Sequence, residues 1–423
     1  MEKPLTQHIS FNRPAFHLKD YERVGGYEAF RKCLTLPPAE ITALVQESDL
    51  KGRGGAGFNT GMKWSFVPMT GDYRHKYLIA NADEMEPGTF KDRMLMEGNP
   101  HQLLEGMMIA AYAIQADISY VFLRWAYRKA ARLLDRAIAE AYEAGYLGSN
   151  IRKSGYGLEM YLHTGVGRYI CGEETALLNA LEGKRATPRS KPPFPQISGL
   201  FGQPTIVNNV ETLCNLPPLL NNGPDWYKSL SRGQDAGTKL YGVSGHVKKP
   251  GLWELPMGTP MEELLQDYAG GMQDGYQFRG ALPGGASTDF LVHQHMSVAL
   301  DYQSVAAAGS RLGTGTMIVL DDRTCPVGFV HNLEHFFAQE SCGWCTPCRE
   351  GLPWTEKILH SIEEGRGSPY DLELLSTHCQ QLGPGHTFCA LAPGAMEPLQ
   401  SVLKYFREDF ENHITYHRCP WRH

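Results

Sequence analysis

Tyr77-Leu78-Ile79-Ala80, Ile118-Ser119-Tyr120-Val121-Phe122-Leu123 and Leu158-Glu159-Met160-Tyr161-Leu162-His163 are short runs rich in aliphatic and aromatic residues, separated by helical patterns. This order builds a parallel sheet covered by helices, because parallel strands need a crossover and a helix is its usual form. One crossover is legible in full. Ala126, Ala130, Leu133, Leu134, Ala137, Ile138 and Ala141 share a helical stripe between the second and third runs, and Gly145 stops it. The chain therefore contains an α/β domain, with ligands expected beyond the carboxyl ends of its strands.

Upstream, Pro38 to Leu50 reads as a short helix running into the glycine-rich segment Lys51 to Gly61. Downstream, Pro188 to Pro204 reads as a proline-rich extended loop, and loops of such length inside a compact domain usually serve a function. The composition shifts after Gly237. Lys239 to Gly245 and Leu252 to Pro256 read as strands about a Lys249-Pro250-Gly251 turn, a helix is expected over Thr259 to Tyr268, and Met317 to Leu320 reads as a returning strand. That order suggests a small β-grasp-like domain. From Cys325-Pro326 onward the pattern is helical, with stripes such as Leu399, Val402, Leu403, Phe406 and Phe410. The expected segments are 1–72, 73–238, 239–325 and 326–423.

The 423 residues exceed one ordinary core, and the formal charge of -6 is spread without a dominant block. With no basic face, no nucleic-acid partner is expected. Neither Met1 to Asp20 nor any later stretch approaches the roughly 18 apolar residues that span a bilayer, so no direct membrane insertion is expected. Ten cysteines in a reducing cytoplasm point to metal or redox work. Cys33, Cys171, Cys214 and Cys325 are scattered and read as buried small hydrophobes.

The exception is Cys342-Gly-Trp-Cys345-Thr-Pro-Cys348, whose two-residue gaps let three thiolates converge on one compact soft centre. Nothing follows Cys348 nearby, so a fourth ligand comes from afar. Cys379 lies on the stripe Leu372, Leu375, Cys379, Leu382 and reads as helix core. Cys389 lies in the turn-rich run Gly383 to Gly394, where small residues let backbone amides approach a charged cluster, and is the preferred ligand. Cys419 precedes a proline but lies four residues from a terminus expected to fray. A structural zinc site using the triplet with His378 or His386 remains the alternative, because the triplet alone does not separate iron from zinc.

Gly52-Arg53-Gly54-Gly55-Ala56-Gly57 satisfies G-x-G-x-x-G, but it follows a helical pattern instead of a strand, so an ordinary dinucleotide-binding turn is not expected. What survives is a flexible backbone rich in N–H groups beside Lys51, Arg53 and Lys63 and the rings of Phe58, Trp64 and Phe66. Amides and cations suit phosphates, and rings suit a stacked heterocycle. Asn81, Asp83, Glu84 and Glu86 begin where the first strand ends. After the third strand, Gly165 to Thr175 carries Tyr169, Gly172, Glu173 and Glu174, and the two acids either complement the positive end of the next helix or tune a redox cofactor.

Taken in order, KGRGGAGFNTGMKWS, NADEMEPGTFKDR, GRYICGEETALLNALEG, PPFP, TIVNNVETLCN and ESCGWCTPCREG resemble the flavin-carrying NADH-binding subunit of NADH:quinone oxidoreductase, respiratory complex I. The likeness runs from about Tyr27 to Phe410. It implies a Rossmann-like parallel-sheet FMN domain, a β-grasp-like insertion and a C-terminal helical bundle carrying one [4Fe-4S] cluster, with NADH as substrate. Carried over, Gly52, Gly54, Lys63, Asn81, Asp83, Glu84, Tyr169, Gly172, Asn208, Asn209 and Thr212 match positions lining FMN, and Arg53, Gly55, Val207 and Glu173 beside them are further cofactor-binding candidates. Phe58, Phe66 and Phe194 match rings around the adenine, Lys191 a nearby basic contact, and Glu86 and Glu174 polar groups near the nicotinamide. Cys342, Cys345, Cys348 and Cys389 match the cluster ligands. No catalytic acid or base is assigned, since hydride passes between cofactors. The implied partners are a [2Fe-2S] subunit and a larger multi-cluster iron-sulfur subunit, which would hold the chain peripherally at the cytoplasmic side of the inner membrane. Flavin subunits of NAD-linked hydrogenases or formate dehydrogenases share these motifs, and a zinc-stabilised structural subunit is the rival of another class.

Overall fold

The computed structural model describes residues 2–10 and 13–422. They form two compact units, one of residues up to 85, 90–240 and 254–258, the other of 86–89, 241–253 and 259 onward.

The first unit is built on β1 (Tyr77–Ala82), β2 (Ile118–Leu123), β3 (Glu159–Thr164) and β4 (Thr205–Asn209), in the spatial order β3-β2-β1-β4. Every pairing is parallel, with Ile79 beside both Tyr120 and Val207 and Asn81 beside Asn209. All four carboxyl ends thus lie along one edge. The chain leaves β1 toward β2 on one side, while β4 arrives on the other, which makes the gap beyond β1 and β4 the switch point of the sheet.

Four helices precede the sheet: α1 (Leu18–Arg23), α2 (Glu28–Cys33), α3 (Pro38–Glu47) and α4 (Thr60–Ser65). The crossovers are α5 (Lys91–Gly98) with α6 (Pro100–Ile114), then α7 (Arg128–Glu143), and α8 (Glu174–Leu181) follows β3. Nearly every residue of α6 is buried, including Glu105. Its carboxylate accepts from Tyr21 Oη at 2.5 Å, Tyr27 N at 2.9 Å and Phe30 N at 3.0 Å, which ties α1 and α2 to α6. α1 and α2 therefore share a core with α6. Burial raises the Glu105 carboxyl, and these donors partly offset the rise.

Three strands lie where the aliphatic runs predict them, β1 extending two residues further and β3 starting one later. β4 was not anticipated. Thr205-Ile206-Val207-Asn208-Asn209 is brief and ends in two asparagines, which disfavour strands, and it takes strand form by pairing with β1. Pro188 to Pro204, expected to be extended, contains short helical turns at Pro195–Ser198 and Leu200–Gly202.

A second, mixed sheet, most of whose residues belong to the second unit, comprises β5 (Thr238–Ser244), β6 (Gly251–Pro256), β7 (Phe278–Leu282), β8 (Leu291–Val292) and β9 (Thr316–Asp321), ordered β6-β5-β9-β7-β8. β5 and β9 are parallel, and β7 runs antiparallel to β8 and β9. The helix expected from Thr259 starts at Met261 and opens into a wider turn over Leu264–Tyr268. Five helices follow: Pro326–Glu340, Thr346–Glu363, Pro369–Gln381, Leu391–Tyr405 and Arg407–Tyr416. They bury Leu399, Val402, Leu403, Phe406 and Phe410 as the stripe predicts. Among the described residues no helix is long and apolar enough to cross a membrane.

Candidate functional site

The glycine loop is closed at its base, with Lys51 bridged to Asn59 and Gly52 N donating to Phe58 O at 2.8 Å. It follows α3, as its sequence context required, and α4 begins at once behind it, capped by the Asn59 side chain on Met62 N. Two contacts bring the loop to the switch point. Arg53 N donates to Thr212 Oγ1 at 2.8 Å, and a Cβ placed on Gly54 would sit 3.1 Å from Asn209 Cβ. The loop backbone thus approaches the end of β4, where Asn208 and Asn209 project and Asn208 accepts from Trp64 Nε1 at 2.9 Å. Across from it, Asn81 Nδ2 donates to Gly172 O at 3.1 Å, joining the end of β1 to the loop after β3. A Cβ on Gly172 would meet nothing within 4 Å, so space opens in front of it.

Rings and charges border this crevice unequally. Phe58, Phe66 and Phe194 are 48%, 52% and 52% exposed, a cost for large apolar rings unless a partner covers them. Lys63 Nζ lies 2.7 Å from Glu174 Oε2 and donates to Val207 O at 2.9 Å. Lys191 Nζ lies 3.1 Å from Glu174 Oε1 and 3.2 Å from Glu173 Oε1. Burial would raise the Glu174 carboxyl, but Lys63 and Lys191 outweigh it and hold the group below the usual carboxylate value. Glu173 caps α8, accepting from Thr175 N and Ala176 N, so helix complementation describes Glu173 while Glu174 bridges lysines.

Other candidates are placed elsewhere. The Arg53 guanidinium is fully buried and donates to Tyr227 Oη at 3.0 Å, Ala236 O at 2.8 Å and Thr238 O at 3.1 Å, which leaves its backbone as the part facing the crevice. Lys51 is ion-paired with the buried Asp235. The Glu84 carboxylate caps α5, accepting from Asp92 N at 2.8 Å, Arg93 N at 3.1 Å and Tyr127 Oη at 2.9 Å. Burial and the neighbouring Asp92 push its carboxyl up to about 7. Glu86 belongs to the second unit, where it accepts from Ser287 N at 2.7 Å. Asp83 is buried and donates through its backbone to Asn81 Oδ1 at 3.2 Å.

In the second unit, Cys348 stands near the start of the helix Thr346–Glu363 with Sγ 3.2 Å from Ser341 Oγ. Burial pushes its thiol up to about 12, and Cys345, Cys389 and Cys342 all add to the rise. The run and Cys389 therefore share one electrostatic neighbourhood. Cys379 does not belong to it. It lies in the helix Pro369–Gln381, and its thiol is raised to about 12 by burial, with Glu334 and Asp289 as its charged neighbours. His378 is occupied by Thr355 Oγ1 at 2.8 Å. Four thiols held together, one buried and three half-buried, suit a soft iron-sulfur centre.

A model described as the Nuo51 FMN-binding domain matches residues 45–218, and one described as the NADH-ubiquinone oxidoreductase-F iron-sulfur binding region matches residues 328–413. An SLBB domain model matches residues 240–291. The chain is 58% identical over 409 residues to the NADH-quinone oxidoreductase F subunit of Salmonella typhimurium, covering 96% of this chain and 92% of that one, and matches its Escherichia coli counterpart equally. The chain belongs to the family of NADH-quinone oxidoreductase F subunits. Among solved structures, a chain of an NAD+-reducing [NiFe]-hydrogenase in the H2-reduced state superposes with a TM-score of 0.83 at 33% identity, covering 98% of this chain and 67% of that one.

Beneath the crevice of this member of the F subunits lies a feature that its motifs did not reveal. Lys91 Nζ is 2.7 Å from Asp92 Oδ1 and 2.8 Å from Glu211 Oε2, and Lys239 Nζ is 3.1 Å from Glu211 Oε2, all four residues being buried. Asn209 Nδ2 donates to Asp92 Oδ2 at 2.7 Å, so this ion network fixes the asparagine at the end of β4. Burial opposes ionisation of Glu211, but Lys239 and Lys91 outweigh it and hold its carboxyl low. Three of the four lie in helices and Lys239 in β5, and nothing in their local spacing pairs residues so far apart in the chain.

Proposed function

We propose that this chain is the point at which NADH enters NADH-quinone oxidoreductase, with FMN in the crevice beyond β1 and β4 and a [4Fe-4S] cluster on Cys342, Cys345, Cys348 and Cys389. The observation that carries the reading is the approach of the glycine loop to that crevice, through Arg53 N on Thr212 and Gly54 against Asn209. A flavin held there would supply acceptance of hydride from nicotinamide C4 and release of electrons one at a time to the cluster.

The chain's own residues bind and orient. Gly52, Gly54 and Gly55 offer backbone where a side chain would block a phosphate. Asn81, Asn208, Asn209, Thr212, Tyr169 and Gly172 supply polar groups around the flavin, and Lys63, fixed by Glu174 and Val207 O, adds a cation. The exposed Phe58, Phe66 and Phe194 would cover the adenine, removing their apolar surface from water. Hydride transfer asks for proximity and stacking, not for a side-chain acid.

A [2Fe-2S] subunit and a larger multi-cluster iron-sulfur subunit would receive the electrons and hold the chain at the cytoplasmic side of the inner membrane. The greater identity to quinone-linked relatives, 58% against 33% for the hydrogenase chain, favours this machine over the hydrogenase reading. The test is flavin and iron content after anaerobic purification, together with NADH-dependent ferricyanide reduction. We expect FMN, iron and activity together; a colourless, inactive protein with one zinc on the triplet would remove the proposal.

A further inference from the structure

Four side chains outside the cluster run converge in the helical part of the second unit. Cys325 caps the helix Pro326–Glu340, Glu363 ends the helix Thr346–Glu363, His413 lies in the helix Arg407–Tyr416, and Cys419 follows that helix. One donor atom from each lies within 4.8 Å of all the others. Cys325 Sγ is 3.4 Å from His413 Nε2 and 3.5 Å from Glu363 Oε2, and His413 Nε2 is 3.2 Å from Glu363 Oε2.

These three separations are close to edges of a coordination tetrahedron. Zinc bonds of about 2.3 Å to sulfur, about 2.05 Å to nitrogen and about 2.1 Å to oxygen, at tetrahedral angles, give edges of about 3.5 Å for S···N, about 3.6 Å for S···O and about 3.4 Å for N···O. The three edges among Cys325, Glu363 and His413 each agree to about 0.2 Å, and Cys419 Sγ lies within 4.8 Å of all three donors.

The surroundings orient the donors. His413 Nδ1 lies 2.6 Å from Asp409 O, an oxygen that only accepts, so Nδ1 carries the hydrogen and a neutral ring turns its Nε2 lone pair to the cluster. Arg422 Nη2 lies 3.2 Å from Glu363 Oε1 and leaves Oε2 to face inward. Two thiolates, one carboxylate and a dication sum to minus one, which the guanidinium balances. Glycines make the room. A Cβ on Gly328 would sit 3.2 Å from Glu363 Oε1, and one on Gly365 would sit 2.1 Å from His417 O, where a left-handed backbone (φ 50) turns the chain from its last helix toward Cys419. His413, Cys419 and Glu363 are 0%, 4% and 5% exposed, so the terminus expected to fray is instead packed at Cys419.

We propose that Cys325, Glu363, His413 and Cys419 hold one divalent cation of zinc type, a closed structural site that clips the C-terminal turn to the first and second helices of the bundle. The donor set is soft enough for zinc and unsuited to magnesium or calcium, and four protein ligands leave no open position for catalysis. Binding displaces the two thiol protons into solvent. The site is separate in residues and role from the iron-sulfur centre.

The test is metal analysis by mass spectrometry on the assembled complex, purified without chelators from zinc-replete cells and normalised to flavin. We expect one zinc per flavin from this chain, lost in Cys419→Ser and in His413→Ala while their flavin, iron and NADH-ferricyanide activity are unchanged. Cys389→Ala should show the opposite loss, iron without zinc. Because partner subunits could carry zinc, the difference between wild type and the two variants is the deciding quantity. Zinc unchanged in both variants would overturn the proposal, as would two thiols missing from denatured, unreduced protein, the mark of a Cys325–Cys419 disulfide. Should a variant not assemble, cobalt substitution of the wild type decides: thiolate-to-cobalt charge-transfer bands support the site, and their absence refutes it.

Discussion

The indole of Trp344 and the ring of Phe388 meet edge to face with centroids 6.1 Å apart. Each is the chain neighbour of a cysteine, Cys345 in one case and Cys389 in the other, so this contact brings a distant turn to the C-x2-C-x2-C run. Cys389→Ala is expected to abolish the electron paramagnetic resonance signal of the reduced cluster. Cys379→Ala, whose thiol has Glu334 and Asp289 as neighbours, should keep it. Loss of the signal in Cys379→Ala with retention in Cys389→Ala would reverse the ligand assignment.

Arg53 separates a structural from a phosphate-binding role. Its guanidinium serves two backbone carbonyls and Tyr227 within the core, so removing it leaves buried acceptors without their donor. Arg53→Ala should destabilise the flavin-free chain by about 1–3 kcal/mol or more, the usual cost of leaving a buried acceptor without its donor. Denaturant unfolding of the apoprotein checks this. A variant of wild-type apoprotein stability that merely binds FMN more weakly would instead place the guanidinium on the phosphate.

Glu174 pairs with Lys63 and shares Lys191 with Glu173, and the four groups are close to neutral as a set. The lysines hold Glu174 ionised, so Glu174→Gln uncovers positive charge beside the crevice proposed for an anionic dinucleotide. The KM for NADH should fall by about two- to tenfold at low ionic strength, with the gap shrinking as salt screens the excess charge. An unchanged or higher KM at low salt would count against this electrostatic reading.

Much of this architecture was readable because it rests on local pattern. Three strands and α7 announce themselves by aliphatic runs and a stripe, and the cysteine run by its spacing. The rest depends on partners distant in the chain. Thr205 to Asn209 is a strand only beside β1, and Lys91, Asp92, Glu211 and Lys239 look like solvated charges until they are buried together. Cys325 reads as a stray core thiol and Cys419 as part of a loose end because nothing local signals the turn at His417 that brings them together.

Glu334 gives the fold a calculable response to pH. It is fully buried in the helix Pro326–Glu340, and neither carboxylate oxygen has a hydrogen-bond partner among the described residues. Burial therefore raises its carboxyl well above the ordinary value. In the unfolded chain the group titrates near about 4.3. A folded value above the unfolded one means that the stability it contributes is full below that point and declines as pH rises, by up to about 1.4 kcal/mol per pH unit until the folded group ionises. Glu334→Gln ionises in neither state and removes this slope. Calorimetric unfolding of the intact chain should show the variant gaining on wild type as pH rises above about 4.3, with the difference between them constant at more acid pH. A difference that stays constant with pH, or that grows toward acid, would mean that Glu334 is ionised in the folded chain and has found a partner.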